Sequence, residues 1–159
     1  MTSFSLIMRL RPESFTERRR TSQHSFPAVH KEQVNSMSGS AQMVAVIDDD
    51  TAVRSGISFL LKSLGYLTTT FESADAFLKS ASLPHTSCVI SDIKMPGMTG
   101  VELQERLISS GYRFPIIFVT AFPEESVKAR ALSAGAHCFL TKPCDPQSII
   151  NCVISALRA

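Results

Sequence analysis

Residues 88–103 read CVISDIKMPGMTGVEL, and the fold follows from how the pattern changes along this stretch. Cys88-Val-Ile-Ser91 is a short, mostly apolar run that stops at Asp92, as a strand buried on both faces does. A Pro- and Gly-rich loop follows from Lys94 to Gly100, after which Val101, Leu103, Leu107 and Ile108 recur at helical spacing. Strand, terminal aspartate, loop and helix make one βα unit.

The unit repeats in both directions. Upstream, Val44-Ala-Val-Ile47 reads as a buried strand ending in Asp48, Asp49 and Asp50. A helix is expected from about Ala52 to Leu64, with Val53, Ile57, Leu60, Leu61 and Leu64 on one face and Gly65 at its C-terminal cap. Leu67 to Phe71 is a weaker, Thr-rich strand, and Ser73 caps a helix through Ala76, Phe77 and Leu78. Downstream, Pro115-Ile-Ile-Phe-Val119 is the most apolar run and ends at Thr120. Glu124 to Ala134 is helical in composition with Gly135 as its stop, and Cys138-Phe-Leu140 is a short strand ending near Lys142. Asp145 and Pro146 open a last helix as N-cap and first-turn proline, with Ile149, Ile150, Val153, Ile154 and Leu157 as its buried stripe. Strict alternation of five strands and five helices predicts an α/β fold, a doubly wound five-stranded parallel sheet of flavodoxin-like type.

Composition bounds the rest. The 159 residues, 44% of them hydrophobic, suit one domain with one sizeable core. Net charge is only +2, and the basic excess (Arg9, Arg11, Arg18, Arg19, Arg20, Lys31) lies ahead of the patterned region, which argues against a nucleic-acid-binding core. Residues 1–41 have the composition of a disordered basic arm. A start codon set too far upstream, with Met37 or Met43 as the true beginning, is the competing reading. No run reaches the roughly 20 apolar residues that cross a bilayer. The four cysteines, Cys88, Cys138, Cys144 and Cys152, show no C-x-x-C pair and no zinc spacing, so a reducing cytoplasm is the simplest setting.

In a doubly wound sheet every strand's C-terminal end opens on one rim, where ligands bind. The polar residues that end the apolar runs therefore converge: Asp48, Asp49 and Asp50, then Asp92, Thr120 and Lys142. Carboxylates from two strands repel unless a cation lies between them, and a hard divalent ion, Mg²⁺, suits oxygen ligands. One carboxylate can then attack phosphorus as a covalent nucleophile, with Lys142 and Thr120 supplying an ammonium and a hydroxyl for the phosphoryl oxygens. A single strand-end Asp is more often a helix N-cap. Four such breaks at four strand ends favour a site.

The motifs Val-Ile-Asp-Asp-Asp50, the stretch from Val89 to Leu103, Ile-Phe-Val-Thr-Ala121 and Phe-Leu-Thr-Lys-Pro143 resemble the receiver domains of two-component response regulators, in that family's order. The resemblance covers about Met43 to Ala159 and is closest to the FixJ-type branch. It implies a receiver domain over 42–159 that takes a phosphoryl group from a sensor histidine kinase or histidine phosphotransfer protein onto Asp92. It further implies Mg²⁺ held by Asp48, Asp49, Asp92 and the backbone carbonyl of Lys94, with Asp48 acting mainly through water. Lys142 and Thr120 would bind the phosphoryl oxygens, and Thr120 and Phe139 would act as the switch. The Lys142–Pro143 bond is commonly cis in the family. Cys144 stands where an aromatic residue is often found, which puts the shape of the output face in doubt. Met95 and Met98 offer either a kinase-docking surface or loop packing, and Ala121 leaves the site accessible.

The expected protein is cytoplasmic and is no enzyme beyond catalysing its own phosphorylation and dephosphorylation. Its output would run through the face of the fourth helix, fifth strand and fifth helix, to a partner or by relay of phosphate, with homodimer formation on phosphorylation open. Because the last helix closes at Ala159, a stand-alone receiver is expected, or a truncated relative of a FixJ-type transcription factor. A decayed receiver that acts by binding alone is one rival. A haloacid-dehalogenase-type phosphatase is another, but Ala52 stands where its motif wants Thr or Val, and no acidic pair follows Lys142.

Overall fold

The structure is a computed structural model that describes residues 41–159. The arm read over residues 1–41 lies, but for Ala41, outside the described residues.

Five strands, β1 (Met43–Ile47), β2 (Leu67–Phe71), β3 (Cys88–Ser91), β4 (Ile116–Thr120) and β5 (Cys138–Thr141), form one sheet in the order β2-β1-β3-β4-β5. All pairs are parallel. The helices are α1 (Thr51–Ser63), α2 (Ala74–Leu78), α3 (Gly100–Ser109), α4 (Glu125–Ser133) and α5 (Pro146–Arg158), with a short 3-10 turn at Leu83–His85. The doubly wound reading holds. The chain leaves β1 toward β2 on one side and returns to β3 on the other, so β1 and β3 flank the switch point where such sheets open a crevice.

Alternation along the strands divides the core. Ala45, Ile47, Val89 and Phe118 face one cluster with Phe77 of α2, Leu103 and Leu107 of α3 and Ala131 of α4. Val44, Val46, Ile90, Ile117 and Val119 face the other with Ile57 and Leu61 of α1 and Ile149 and Val153 of α5. Successive strand residues point to opposite faces. With helices on both faces, the central strands are apolar up to their last residues, Ser91 in β3 and Thr120 in β4, and this is why they read as hydrophobic runs with a polar stop.

Helix starts follow their caps. Asp50 accepts from the N–H groups of Ala52 and Val53 at 2.8 and 3.2 Å, so of the three consecutive aspartates it is the third that caps α1. Thr99 and Glu102 form a reciprocal capping box on α3, and Asp145 caps α5 ahead of Pro146.

Several expected boundaries shift. β4 begins at Ile116, since Pro115 has no N–H for the ladder, and runs through Thr120, which is a fully buried strand residue rather than the break after one. β5 extends to Thr141, paired with Thr120. Val53, Leu60, Leu64, Ile154 and Leu157 are only half-buried. Cys152, left out of the expected α5 stripe, is buried.

These packing differences set a stability contrast. Leu103 is fully buried, so Leu103→Ala should lower unfolding free energy by about 2–5 kcal/mol through lost contacts and a cavity. Phe59 is 77% exposed, and Phe59→Ala should stay within about 0.5 kcal/mol. Urea denaturation of both variants measures the difference.

Candidate functional site

Parallel register delivers the site. Ile47 pairs with Ser91, and the Asp92 N–H donates to the Ile47 carbonyl at 2.9 Å, which places Asp48 and Asp92 side by side as their strands end. Across β4 and β5, Lys142 N–H donates to the Thr120 carbonyl at 2.8 Å, bringing the lysine to the same rim.

There Lys142 Nζ donates to Asp48 Oδ2 at 2.6 Å and to Asp92 Oδ2 at 3.0 Å. The other oxygens are held by backbone: Asp48 Oδ1 accepts from Asp50 N–H at 2.8 Å, and Asp92 Oδ1 from Ile93 and Lys94 N–H at 2.5 and 3.2 Å. Asp48 and Asp92 are buried, Asp49 is exposed, and one carboxylate oxygen from each lies within 4.8 Å of the others. Three convergent carboxylates suit a hard divalent cation.

The charges here are unbalanced. Burial pushes the Asp48 carboxyl above its ordinary pKa. Hydrogen bonds from Lys142 and from the Asp50 N–H oppose that shift, and the charge of Asp92 adds to it. For Lys142, burial would lower the pKa, but its hydrogen bonds to Asp48 and Asp92 together with the charges of the two carboxylates outweigh burial and hold the ammonium above its usual value. One cation serves two carboxylates, so the lysine is over-supplied with partners while Asp48 is under-supplied.

Thr120 is wholly buried, and its hydroxyl accepts from Phe122 N–H at 3.3 Å; among the described residues it makes no hydrogen bond to Asp92. Phe139 is half-buried on β5, its ring 6.3 Å from that of Phe118, with Lys128 Nζ 6.0 Å from its centroid. The Lys142–Pro143 bond is cis, as the resemblance implies. Met95 is buried and Met98 half-buried against the α2–α4 cluster, which matches the loop-packing reading and leaves Met95 unavailable for docking.

Other contacts had no sequence signature. The Lys94 side chain pairs with Glu124 at 2.8 Å and lies 5.1 Å from the Phe122 ring centroid, joining the loop after β3 to the loop after β4. Arg54, one turn into α1, donates to the Asp48 carbonyl. Gly100 sits under the site: a Cβ there would lie 2.2 Å from the Asp92 carbonyl oxygen and 3.0 Å from the Phe118 ring. The cysteines also differ from expectation, since Cys138 and Cys152 are joined as a disulfide and only Cys88 and Cys144 are free.

Residues 44–154 match the family described as the response regulator receiver domain. The chain belongs to that family. This receiver domain is 37% identical over 119 residues to the transcriptional regulatory protein TdiR of Thauera aromatica, covering 75% of this chain and 52% of the relative. It is 37% identical over 115 residues to the transcriptional regulatory protein FixJ of Bradyrhizobium diazoefficiens, covering 72% and 56%. The crystal structure of FixJ-N superposes with a TM-score of 0.67 at 30% identity, covering 76% of this chain and 96% of that one. The FixJ-type resemblance therefore stands, and the domain is a two-component signalling module. The chain spans about half the length of the curated relatives it matches. No described helix is long and apolar enough to cross a membrane.

The raised Asp48 pKa gives this receiver domain a signed pH dependence. A carboxyl whose folded pKa lies above its unfolded 3.8 costs stability when ionised, and that cost disappears as pH falls through the folded value. Without divalent ions, Asp48→Asn should therefore be more stable than wild type near pH 7, with the advantage shrinking toward pH 4. Urea titrations across that range check it, and an advantage that grows on acidification contradicts it.

Proposed function

We propose that this receiver domain accepts a phosphoryl group on Asp92 from a phosphohistidine of a sensor kinase or phosphotransfer protein. The observation that carries the proposal is the Lys142 ammonium bridging Asp48 and Asp92 at a rim built from four strand ends. A capping aspartate needs no such partner, and Asp50 already caps α1.

The donor set fits Mg²⁺: three carboxylate oxygens within 4.8 Å of one another, all hard ligands, one of them from Asp48, whose ionised form burial disfavours. Asp48, Asp49, Asp92 and the backbone carbonyl of Lys94 would hold the ion. When bound, it supplies charge neutralisation for the phosphoryl oxygens.

The protein groups divide the remaining work. The Ile93 and Lys94 amides fix the Asp92 carboxylate, so its nucleophilic oxygen meets the phosphorus without rotamer search. The new P–O bond forms as the donor's P–N bond breaks, and the imidazole leaves. Lys142 shifts its hydrogen bond from Asp92 to a phosphoryl oxygen, where its charge now faces a dianion. Thr120 gives up the Phe122 amide and turns its hydroxyl to a second oxygen, which vacates space at the end of β4 for Phe139. That conformation is stabilised only by the phosphorylated form, so the population shifts toward it. Half-burial of the Phe139 ring is what lets a small change at Thr120 alter its exposure.

On this reading the domain catalyses only its own phosphorylation and dephosphorylation, in the cytoplasm alongside its kinase, and signals through the face formed by α4, β5 and α5. Its relatives are named as transcriptional regulators, and an output of that kind is the natural use of the switched face.

Incubation with Mg²⁺ and acetyl phosphate should add the mass of one phosphoryl group to the intact protein. Asp92→Asn should add none, chelation of the ion should prevent the adduct, and Lys142→Ala should slow it roughly 100-fold, the scale of a lost electrostatic donor. Steady turnover of phosphate esters with no adduct at Asp92 would instead indicate a phosphatase. Absence of any adduct in a folded protein would indicate a receiver that acts by binding alone.

A further inference from the structure

Cys138 opens β5 and Cys152 lies midway along α5, 14 residues later, with their sulfurs joined. Their Cα atoms are 6.2 Å apart, a separation two cysteines bridge without backbone movement. A reduced pair suits the same place, because both side chains belong to the apolar cluster beneath α1 and α5, where a thiol packs as a small hydrophobe. The fold therefore accommodates both oxidation states.

Access is asymmetric. Cys138 is half-buried and Cys152 is buried. The seam is open at its edge, where His137 and Ser155, each a close chain neighbour of one cysteine, meet in an exposed hydrogen bond of 2.7 Å. The remaining thiols are poor competitors: Cys88 is buried with its pKa pushed up to about 12, and burial also raises that of Cys144.

Position gives the pair its consequence. Cys138 precedes Phe139 directly, and the strand it begins leads into Lys142, whose ammonium bridges Asp48 and Asp92. A covalent tie from β5 to α5 holds the strand that carries these groups.

We infer that Cys138 and Cys152 form a reversible dithiol–disulfide modification site that restrains β5 against α5 and so tunes the phosphoryl site. The effect on phosphorylation rests on the function proposed above; the modification itself does not. The oxidant is a hydroperoxide. The Cys138 sulfur attacks one peroxide oxygen, the O–O bond breaks, and water leaves a sulfenic acid. The Cys152 sulfur then attacks the Cys138 sulfur, the S–O bond breaks, and hydroxide departs as water with the Cys152 proton. Two thiols lose two electrons to one hydrogen peroxide, giving one disulfide and two waters. A dithiol returns the pair by thiol–disulfide exchange.

The full chain is treated with hydrogen peroxide or dithiothreitol, then alkylated after denaturation and peptide-mapped. Expected are a Cys138–Cys152 link with Cys88 and Cys144 alkylated, and four alkylated cysteines once the folded protein meets dithiothreitol. Amide hydrogen exchange across β5, and acetyl-phosphate labelling of Asp92, should both be slower in the oxidised form by roughly fivefold or more, the low end of usual coupling. Cys138→Ala should lose this response to peroxide, while Cys144→Ala should keep it. A different pairing, a bond that resists dithiothreitol in the folded protein, or identical exchange in both states would overturn the inference. If the reduced protein takes no phosphoryl group, the proposed function fails, and the mapping and exchange results alone judge the redox site.

Discussion

A parallel sheet covered by helices on both faces cannot let a charged side chain leave a strand before its end. Each residue of the central strands β1, β3 and β4 from Val44 onward is buried against one of the two helical layers, so a carboxylate or ammonium within them would be buried without water. The polar and charged groups of the site are therefore displaced to the last position of a strand or the first after it. Parallel pairing then brings those positions to one rim. Asp48, Asp92, Thr120 and Lys142 are neighbours because the sheet is buried on both sides.

Gathering them creates an electrostatic imbalance. Asp48 and Asp92 are both buried and share one ammonium. Loss of hydration disfavours ionised Asp48, and the nearby Asp92 charge adds to this. The backbone amides of Asp50, Ile93 and Lys94 hold the carboxylate geometry in place. Such a site favours any added positive charge and tolerates a new dianion only with its cations close by. This is the property a phosphoryl-accepting switch needs.

The elements around the rim are tied together in ways that matter to it. Gly100 lets α3 start against the Asp92 carbonyl, where any side chain would collide. Lys94 joins the loops after β3 and β4 through Glu124. The Cys138–Cys152 link and the His137–Ser155 hydrogen bond join β5 to α5. β5 is thus held at its start by α5 and at its end by the site, with Phe139 between.

Much of this was legible in the residues. Apolar runs, their polar stops and the helical stripes are local patterns, so the five βα units, the four strand-end groups and the caps at Ser73 and Asp145 could be read directly. Family motifs added the cis Lys142–Pro143 bond and the aromatic position at Phe139. The order β2-β1-β3-β4-β5 is the one the flavodoxin-like reading carries, whereas packing decided the division of labour among Asp48, Asp49 and Asp50, in which the third aspartate caps the helix and the first meets Lys142. The same holds for the Lys94–Glu124 pair, the close approach at Gly100 and the Cys138–Cys152 bond. Each joins residues from different elements, and their meeting depends on strand register and helix placement. Those are set by the sum of many core contacts, and no spacing along the chain encodes them.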